Sequence, residues 1–174
     1  MKLLLLPGDG IGPEISDVVE KVLNALNKKL SLGLTLDQKE VGFAALEKFK
    51  TTFPESILEA AMKADGTILG PVDTAAYPPA DQGGINVSAA LRKNFDLFAN
   101  IRPAVSKQGI NSVARDMDLI LVRENTEGFY ADRTMFNGSG EFMPTPDLAL
   151  AVRKISREGS HRIGLAAAKL ADVR

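Results

Sequence analysis

The sequence predicts an α/β chain organised on parallel strands, and three features carry that prediction. Met1 to Leu6 is a continuous apolar run, the pattern of a strand covered on both faces. The glycine-rich turn Pro7 to Gly12 follows at once, and Pro13 suits the first turn of a helix, where its missing N–H costs nothing. Strand-like and helix-like segments then alternate, as they do in chains that build a sheet from strand–helix–strand units.

Taken in order, Ile15, Val18, Val19, Val22 and Leu23 recur at helical spacing and predict a helix to about Asn27. Leu34 to Val41 alternates as a strand does. Ala44 to Phe49 and Pro54 to Ala64 predict short helices, the second with Ile57, Leu58 and Ala61 inward. Gly66 to Gly70 predicts a buried strand ending in the turn-rich loop Pro71 to Gly84. Asn86 to Phe95 reads as a helix, and Leu97 to Ile101 and Asp118 to Arg123 as strands. Between Tyr130 and Pro146, Asn137-Gly138-Ser139-Gly140 stands between Met135-Phe136 and Phe142-Met143, which predicts a hairpin. Its apolar residues have no evident partner nearby. It is therefore read as an arm embracing another subunit, with a hairpin packed on its own domain as the plainer alternative. Thr145-Pro146-Asp147 is expected to open a last long helix, with Leu148, Ala151, Val152 and Ile155 on one stripe that Ile163 and Leu170 extend.

The 174 residues, 45% hydrophobic and 25% charged, have the composition of a soluble globular protein with a real core. A formal net charge of -1 provides no global field for nucleic acid or an anionic membrane, so neither is expected as a partner. The absence of cysteine excludes disulfides, thiolate chemistry and cysteine-ligated metal. The apolar N-terminus is cut short by Pro7-Gly8-Asp9, too early for a signal peptide, and no apolar run spans a bilayer. The expected location is the cytoplasm.

Chemistry concentrates in two stretches. Leu91 to Pro103 carries Arg92 and Arg102, and Val122 to Tyr130 carries Arg123 and Tyr130, all inside otherwise foldable segments. Arginine presents a rigid fork of donors that matches a carboxylate bidentately, so three converging would suit a small acid with several carboxylates. A tyrosine beside them could pass a proton. Gly8-Asp9-Gly10-Ile11-Gly12 looks like a nucleotide fingerprint, but its third glycine comes one residue too early and no phosphate-loop lysine follows. On pattern alone it is a strand-to-helix turn needing glycine conformations. Gly70-Pro71-Val72-Asp73-Thr74 follows a predicted strand, where α/β sheets place ligand loops. His161 is the only histidine and lies among Arg157, Glu158 and Arg162, so it reads as a surface residue. Arg153, Lys154 and Lys107 read as solvated charges.

These arginine and tyrosine segments, together with Pro7 to Glu14, resemble the isocitrate/isopropylmalate dehydrogenase family, the metal-dependent β-decarboxylating dehydrogenases. The similarity runs over essentially the whole chain. It implies the family's own α/β fold, distinct from the Rossmann fold, with two domains and a hairpin arm. Residues 1-97 would begin the cofactor-side domain, and residues 98-174 the substrate and dimerisation domain, with the arm at 130-146.

The resemblance further implies NAD(P)-dependent oxidative decarboxylation of a substituted malate. Arg92, Arg102 and Arg123 would orient the carboxylates of a di- or tricarboxylate, and Tyr130 would protonate the enolate. Ile11 and Thr74 would border the NAD or NADP, and a Mg2+ or Mn2+ ion would polarise the reacting oxygen. The family's catalytic lysine, metal-binding aspartates and adenosine-binding segment are expected beyond Arg174, and a homodimer is expected because family sites lie between subunits. This chain resembles the N-terminal half, inactive by itself.

Within Asn86 to Lys93, the isopropylmalate enzymes place an acidic residue and leucines where this chain has Ile85, Ser88 and Ala89. Isocitrate enzymes place Ser then Asn where this chain has Asn86 then Ser88, the pair transposed. Hydroxyl and amide groups suit a polar substituent, because a buried isopropyl group would leave them unpaired. An isocitrate-like substrate is therefore expected over 3-isopropylmalate, with Asn86 and Ser88 as substrate contacts. The rival readings are a non-catalytic regulatory subunit of the same fold and a plain dimerisation module.

Overall fold

The structure, a computed structural model, describes residues 1–128 and 140–174. They form two compact units, Met1–Asn94 and Phe95–Arg174.

The first unit is built on a three-stranded sheet of β1 (Lys2–Leu6), β2 (Thr35–Gln38) and β3 (Gly66–Leu69), in the order β2-β1-β3. Both pairings are parallel. The central place goes to the strand with the longest apolar run, and Leu4, Leu5 and Leu6 are fully buried there. Helix α1 (Gly12–Leu30) leaves the glycine-rich turn with Pro13 in its first turn. Glu14 near its start and Lys28 and Lys29 near its end complement the helix dipole. It runs a turn further than the spacing predicted, and its apolar stripe is open: Ile15, Val18, Val22 and Leu26 are 41–55% exposed. Helices α2 (Phe43–Phe49) and α3 (Glu55–Met62) bury Ala45, Ile57 and Ala60. Helix α4 (Val87–Asn94) buries Val87 and Leu91. Every buried large apolar side chain among the described residues belongs to this unit.

The second unit pairs β4 (Ala99–Val105) antiparallel with β5 (Asp118–Glu124). A second antiparallel pair joins β6 (Glu141–Thr145) to β7 (Leu148–Ala151) around Pro146-Asp147. Helix α5 (Arg157–Asp172) closes the chain.

Here one expectation is overturned. The long helix predicted to open at Thr145-Pro146-Asp147 does not form there: Leu148 to Ala151 is a strand. The helix begins at the cap Ser156, whose hydroxyl accepts from Gly159 N–H at 2.9 Å. A run of four alternating Leu and Ala fits helix or strand equally in periodicity, and cross-strand pairing with Glu141 and Phe142 decides it. The predicted arm falls partly outside the described residues, as do Tyr130, Met135 and Phe136. Lys154 is not a merely solvated charge. Its backbone exchanges both hydrogen bonds with Gly128, and its ammonium stands 3.7 Å from Glu127. No helix among the described residues is long and apolar enough to cross a membrane.

Candidate active site

In the first unit the chain passes from β1 through α1 to β2 on one side, then to β3 on the other, so the sheet changes direction between β1 and β3. Open α/β sheets bind ligands in the crevice beyond the carboxyl ends of the strands flanking such a point. The two segments that emerge there are Pro7–Gly12 and Gly70–Thr74. They pack backbone against backbone, with Asp9 N–H donating to Pro71 C=O at 2.7 Å. Gly8 is required by this approach, since it has φ +79° and a Cβ on it would lie 2.1 Å from the Pro71 oxygen. Ile11, in the turn that opens α1, is 60% exposed, and Thr74 is half-buried in a short 3-10 turn with Ala75 and Ala76.

Asp9 joins these loops and was not singled out by the sequence. Its Oδ1 accepts from Phe43 N–H at 2.8 Å. Its Oδ2 accepts from Asp73 N–H at 3.0 Å and from the Tyr77 hydroxyl at 2.5 Å. Phe43 meets the Tyr77 ring edge-on, with centroids 5.1 Å apart. Burial, followed by the Asp9 carboxylate, pushes the Tyr77 hydroxyl far above its ordinary value and keeps it a proton donor.

Asn86 precedes α4, and its side-chain oxygen accepts from Ala89 N–H at 2.9 Å. That is a helix cap, so a substrate contact from Asn86 would fall to its amide nitrogen. Ser88 is half-buried one residue into the helix, and Arg92 is half-buried in its last turn. The fully buried Thr52 fixes the approach to this helix, with its hydroxyl oxygen 2.7 Å from Ile85 N–H and within 3.3 Å of Gly83 C=O.

In the second unit, β4 and β5 bring two of the predicted arginines onto one sheet face. Asn100 pairs with Arg123 and Arg102 with Leu121, and residues two apart on a strand share a face. Arg102 is exposed and its Nε donates to the Asn100 side chain at 3.2 Å. Arg123 is half-buried and lines a cleft of about 420 Å³ with Glu127, Lys154, Ile155 and Ile163.

Polar networks that the sequence reading missed brace the end of β5. Glu124 accepts from Thr126 N–H and hydroxyl at 2.8 and 2.6 Å, from Glu127 N–H at 2.6 Å and from Arg162 at 3.2 Å. Burial opposes its charge, but the Thr126, Glu127 and Arg162 donors prevail and hold its carboxyl below the ordinary value. Arg162 also reaches Asp96 at 2.8 Å and lies 4.6 Å over the Phe98 ring. Glu127 is lowered too, chiefly by the Ser156 hydroxyl and N–H at 2.6 and 2.8 Å, against burial, with Lys154 assisting. The signal for this second network was the cap-forming Ser156 itself. Among the described residues no three carboxylate or histidine side chains converge to cage a metal ion by themselves. The two loops with Ile11 and Thr74 do fit a dinucleotide: an exposed apolar surface and a hydroxyl stand on segments tied together at the sheet's switch point.

Residues 2–174 match the family model described as isocitrate/isopropylmalate dehydrogenase. The chain is 37% identical over 163 residues to a 3-isopropylmalate dehydrogenase of Methanothermobacter thermautotrophicus, covering 94% of this chain and 44% of that protein. It is 34% identical to the Archaeoglobus fulgidus enzyme of the same name, covering 98% of this chain and 46% of that one. Among solved structures, isocitrate dehydrogenase from Methylococcus capsulatus superposes with a TM-score of 0.77 at 34% identity, over 98% of this chain and 47% of that one. A β-decarboxylating dehydrogenase from Thermococcus kodakarensis does so with a TM-score of 0.72 at 27% identity, over 99% of this chain and 46% of that one. The chain thus spans less than half the length of the curated relatives it matches.

Proposed function

The chain belongs to the isocitrate/isopropylmalate dehydrogenase family, and from that premise we propose that the complete protein oxidatively decarboxylates a substituted malate with NAD or NADP. A bound dinucleotide would supply the hydride acceptor as the carbinol carbon of the acid is oxidised, and the 2-hydroxyl proton would pass to a base. The β-carboxylate leaves as carbon dioxide, and the resulting enolate takes a proton to give a 2-keto acid. Arg92, Arg102 and Arg123 bind the carboxylates, and Tyr130 is the acid that protonates the enolate. Ile11 and Thr74 border the dinucleotide. The observation that carries the substrate class is the placement of Arg102 and Arg123 on one face of β4–β5, since two guanidinium forks suit an acid with more than one carboxylate. The family's Mg2+ or Mn2+ would supply a Lewis acid that polarises the reacting oxygen. Residues 1-97 serve as the cofactor side and 98-174 as the substrate and dimerisation side. The exposed β6–β7 hairpin supports assembly as a homodimer; the complete protein works in the cytoplasm, and the 174 residues alone are inactive.

Two substituents compete. Ile85, Asn86, Ser88 and Ala89 support a polar, isocitrate-like one, because no leucine bed for an isopropyl group is present on α4. The names of the Methanothermobacter and Archaeoglobus relatives favour 3-isopropylmalate instead. The test is steady-state kinetics on the complete protein with Mg2+ or Mn2+ and either dinucleotide. Isocitrate or another polar malate should have the higher kcat/KM. If 3-isopropylmalate leads, the reading of α4 is wrong while the reaction class stands. Activity on none of these acids would favour a non-catalytic subunit.

A further inference from the structure

Asp9 is the one charged residue buried among the described residues, with 7% of its surface exposed. A buried carboxylate is costly unless donors surround it, and this one is held by two backbone N–H groups and a phenol. The arrangement of these donors is informative. Asp73 and Tyr77 bind the same oxygen from either side of the turn that contains Thr74, while the other oxygen fixes the start of α2 through Phe43. Asp9 itself stands two residues before Ile11, and its own N–H grips the opposite loop at Pro71. One carboxylate therefore fixes the separation of Ile11 and Thr74. Gly42 leaves the space it occupies, since a Cβ there would lie 2.2 Å from Oδ1.

We propose that Asp9 is a positioning residue for the dinucleotide, acting with Tyr77 to bracket the Thr74 turn and hold it at a set distance from Ile11. This rests on the dinucleotide reading above. Neither Asp9 nor Tyr77 need touch the ligand. Their effect is preorganisation: the bound geometry of the loops is assembled in advance, and ordering them does not oppose binding.

The experiment uses the complete protein, with Tyr77→Phe, Asp9→Asn and the double variant. NADH and NADPH titrations followed by fluorescence give the dinucleotide Kd, and steady-state kinetics give the KM of the acid substrate. Tyr77→Phe removes one donor to a charged acceptor and should raise the dinucleotide Kd about tenfold, with the acid KM within about twofold of wild type. Asp9→Asn replaces an acceptor oxygen with a donor facing other donors, and should raise Kd further. The double variant should bind no worse than Asp9→Asn alone, because Tyr77 acts through Asp9. Thermal melts accompany each variant. Lowered melting with a dinucleotide Kd unchanged in both single variants would overturn the proposal, leaving Asp9 a purely structural residue. Fully additive effects on Kd would overturn the pairing. A wild-type protein that binds neither dinucleotide would overturn the oxidoreductase reading, and this role with it.

Discussion

Gly42→Ala isolates the packing around Asp9. Gly42 has φ +73° and ψ -145°, a conformation open essentially to glycine alone, so any side chain there costs roughly 1–3 kcal/mol in backbone strain. The new Cβ would also lie 2.2 Å from Asp9 Oδ1 and 2.7 Å from its carboxyl carbon and second oxygen. Such overlap cannot persist, and the carboxylate must move. Its 2.8 Å bond from Phe43 N–H is the first to go, at about 1.5–3 kcal/mol for a bond to a charged group. The smaller entropy of the unfolded alanine chain offsets about 0.4–1 kcal/mol. The net destabilisation should be roughly 2–5 kcal/mol, a large share of a typical domain's stability. Gly10→Ala is the control, because Gly10 also has positive φ, +57°, yet nothing lies within 4 Å of its would-be Cβ. It should lose only the left-handed strain, about 1–2 kcal/mol. Urea unfolding of the complete protein measures both. Equal losses in the two variants would refute the claim that the Asp9 carboxylate fills the space beside Gly42.

Arg102→Gln in the complete protein should lower kcat/KM roughly 10²-fold, the loss of a charge-assisted carboxylate contact worth about 3 kcal/mol; an unchanged substrate affinity would remove Arg102 from the site. Glu124 and Glu127 are both held below the ordinary glutamate value of 4.5, so they add stability above that pH and lose it as pH falls through their lowered values. Urea midpoints should therefore fall between about pH 5 and 3, and Glu127→Gln should be less stable at neutral pH but shallower in that window. Phe142, Met143, Leu148 and Leu150 are 43–64% exposed on β6–β7, and an isolated two-stranded hairpin is marginal in water. Light scattering should show a dimer that a Phe142→Glu, Leu150→Glu double variant dissociates; a wild-type monomer would rule this hairpin out as a dimer contact.

How much of this was legible depends on how local the cause is. The run Leu3–Leu6, the spacing of α1 and Pro13 at its start act within a few residues, and the elements they dictate form where the pattern puts them. Leu148 to Ala151 failed because four residues fit two periods, and the deciding partners, Glu141 and Phe142, belong to another strand. The open stripe of α1 teaches the same lesson, since periodicity marks which face is apolar and is silent about what covers it. Arg102 and Arg123 share a face only through the β4–β5 register, which no spacing along the chain encodes.

Asp9 is the case furthest beyond local pattern, because its three donors lie 34, 64 and 68 residues away. Yet its charge posed a question the sequence could have raised. A loop proposed to receive an anionic dinucleotide carries an acid between Gly8 and Gly10, and that carboxylate facing the ligand would repel its phosphates. The structure directs the charge inward, onto Phe43, Asp73 and Tyr77. Gly8 then serves loop-to-loop approach, since a Cβ on it would strike Pro71, and Gly12 serves the tight turn of its own loop, since a Cβ there would lie 2.1 Å from the Pro7 oxygen. Glycine here lets the two loops close on one buried acid, a role different from that of the glycines in the dinucleotide fingerprint.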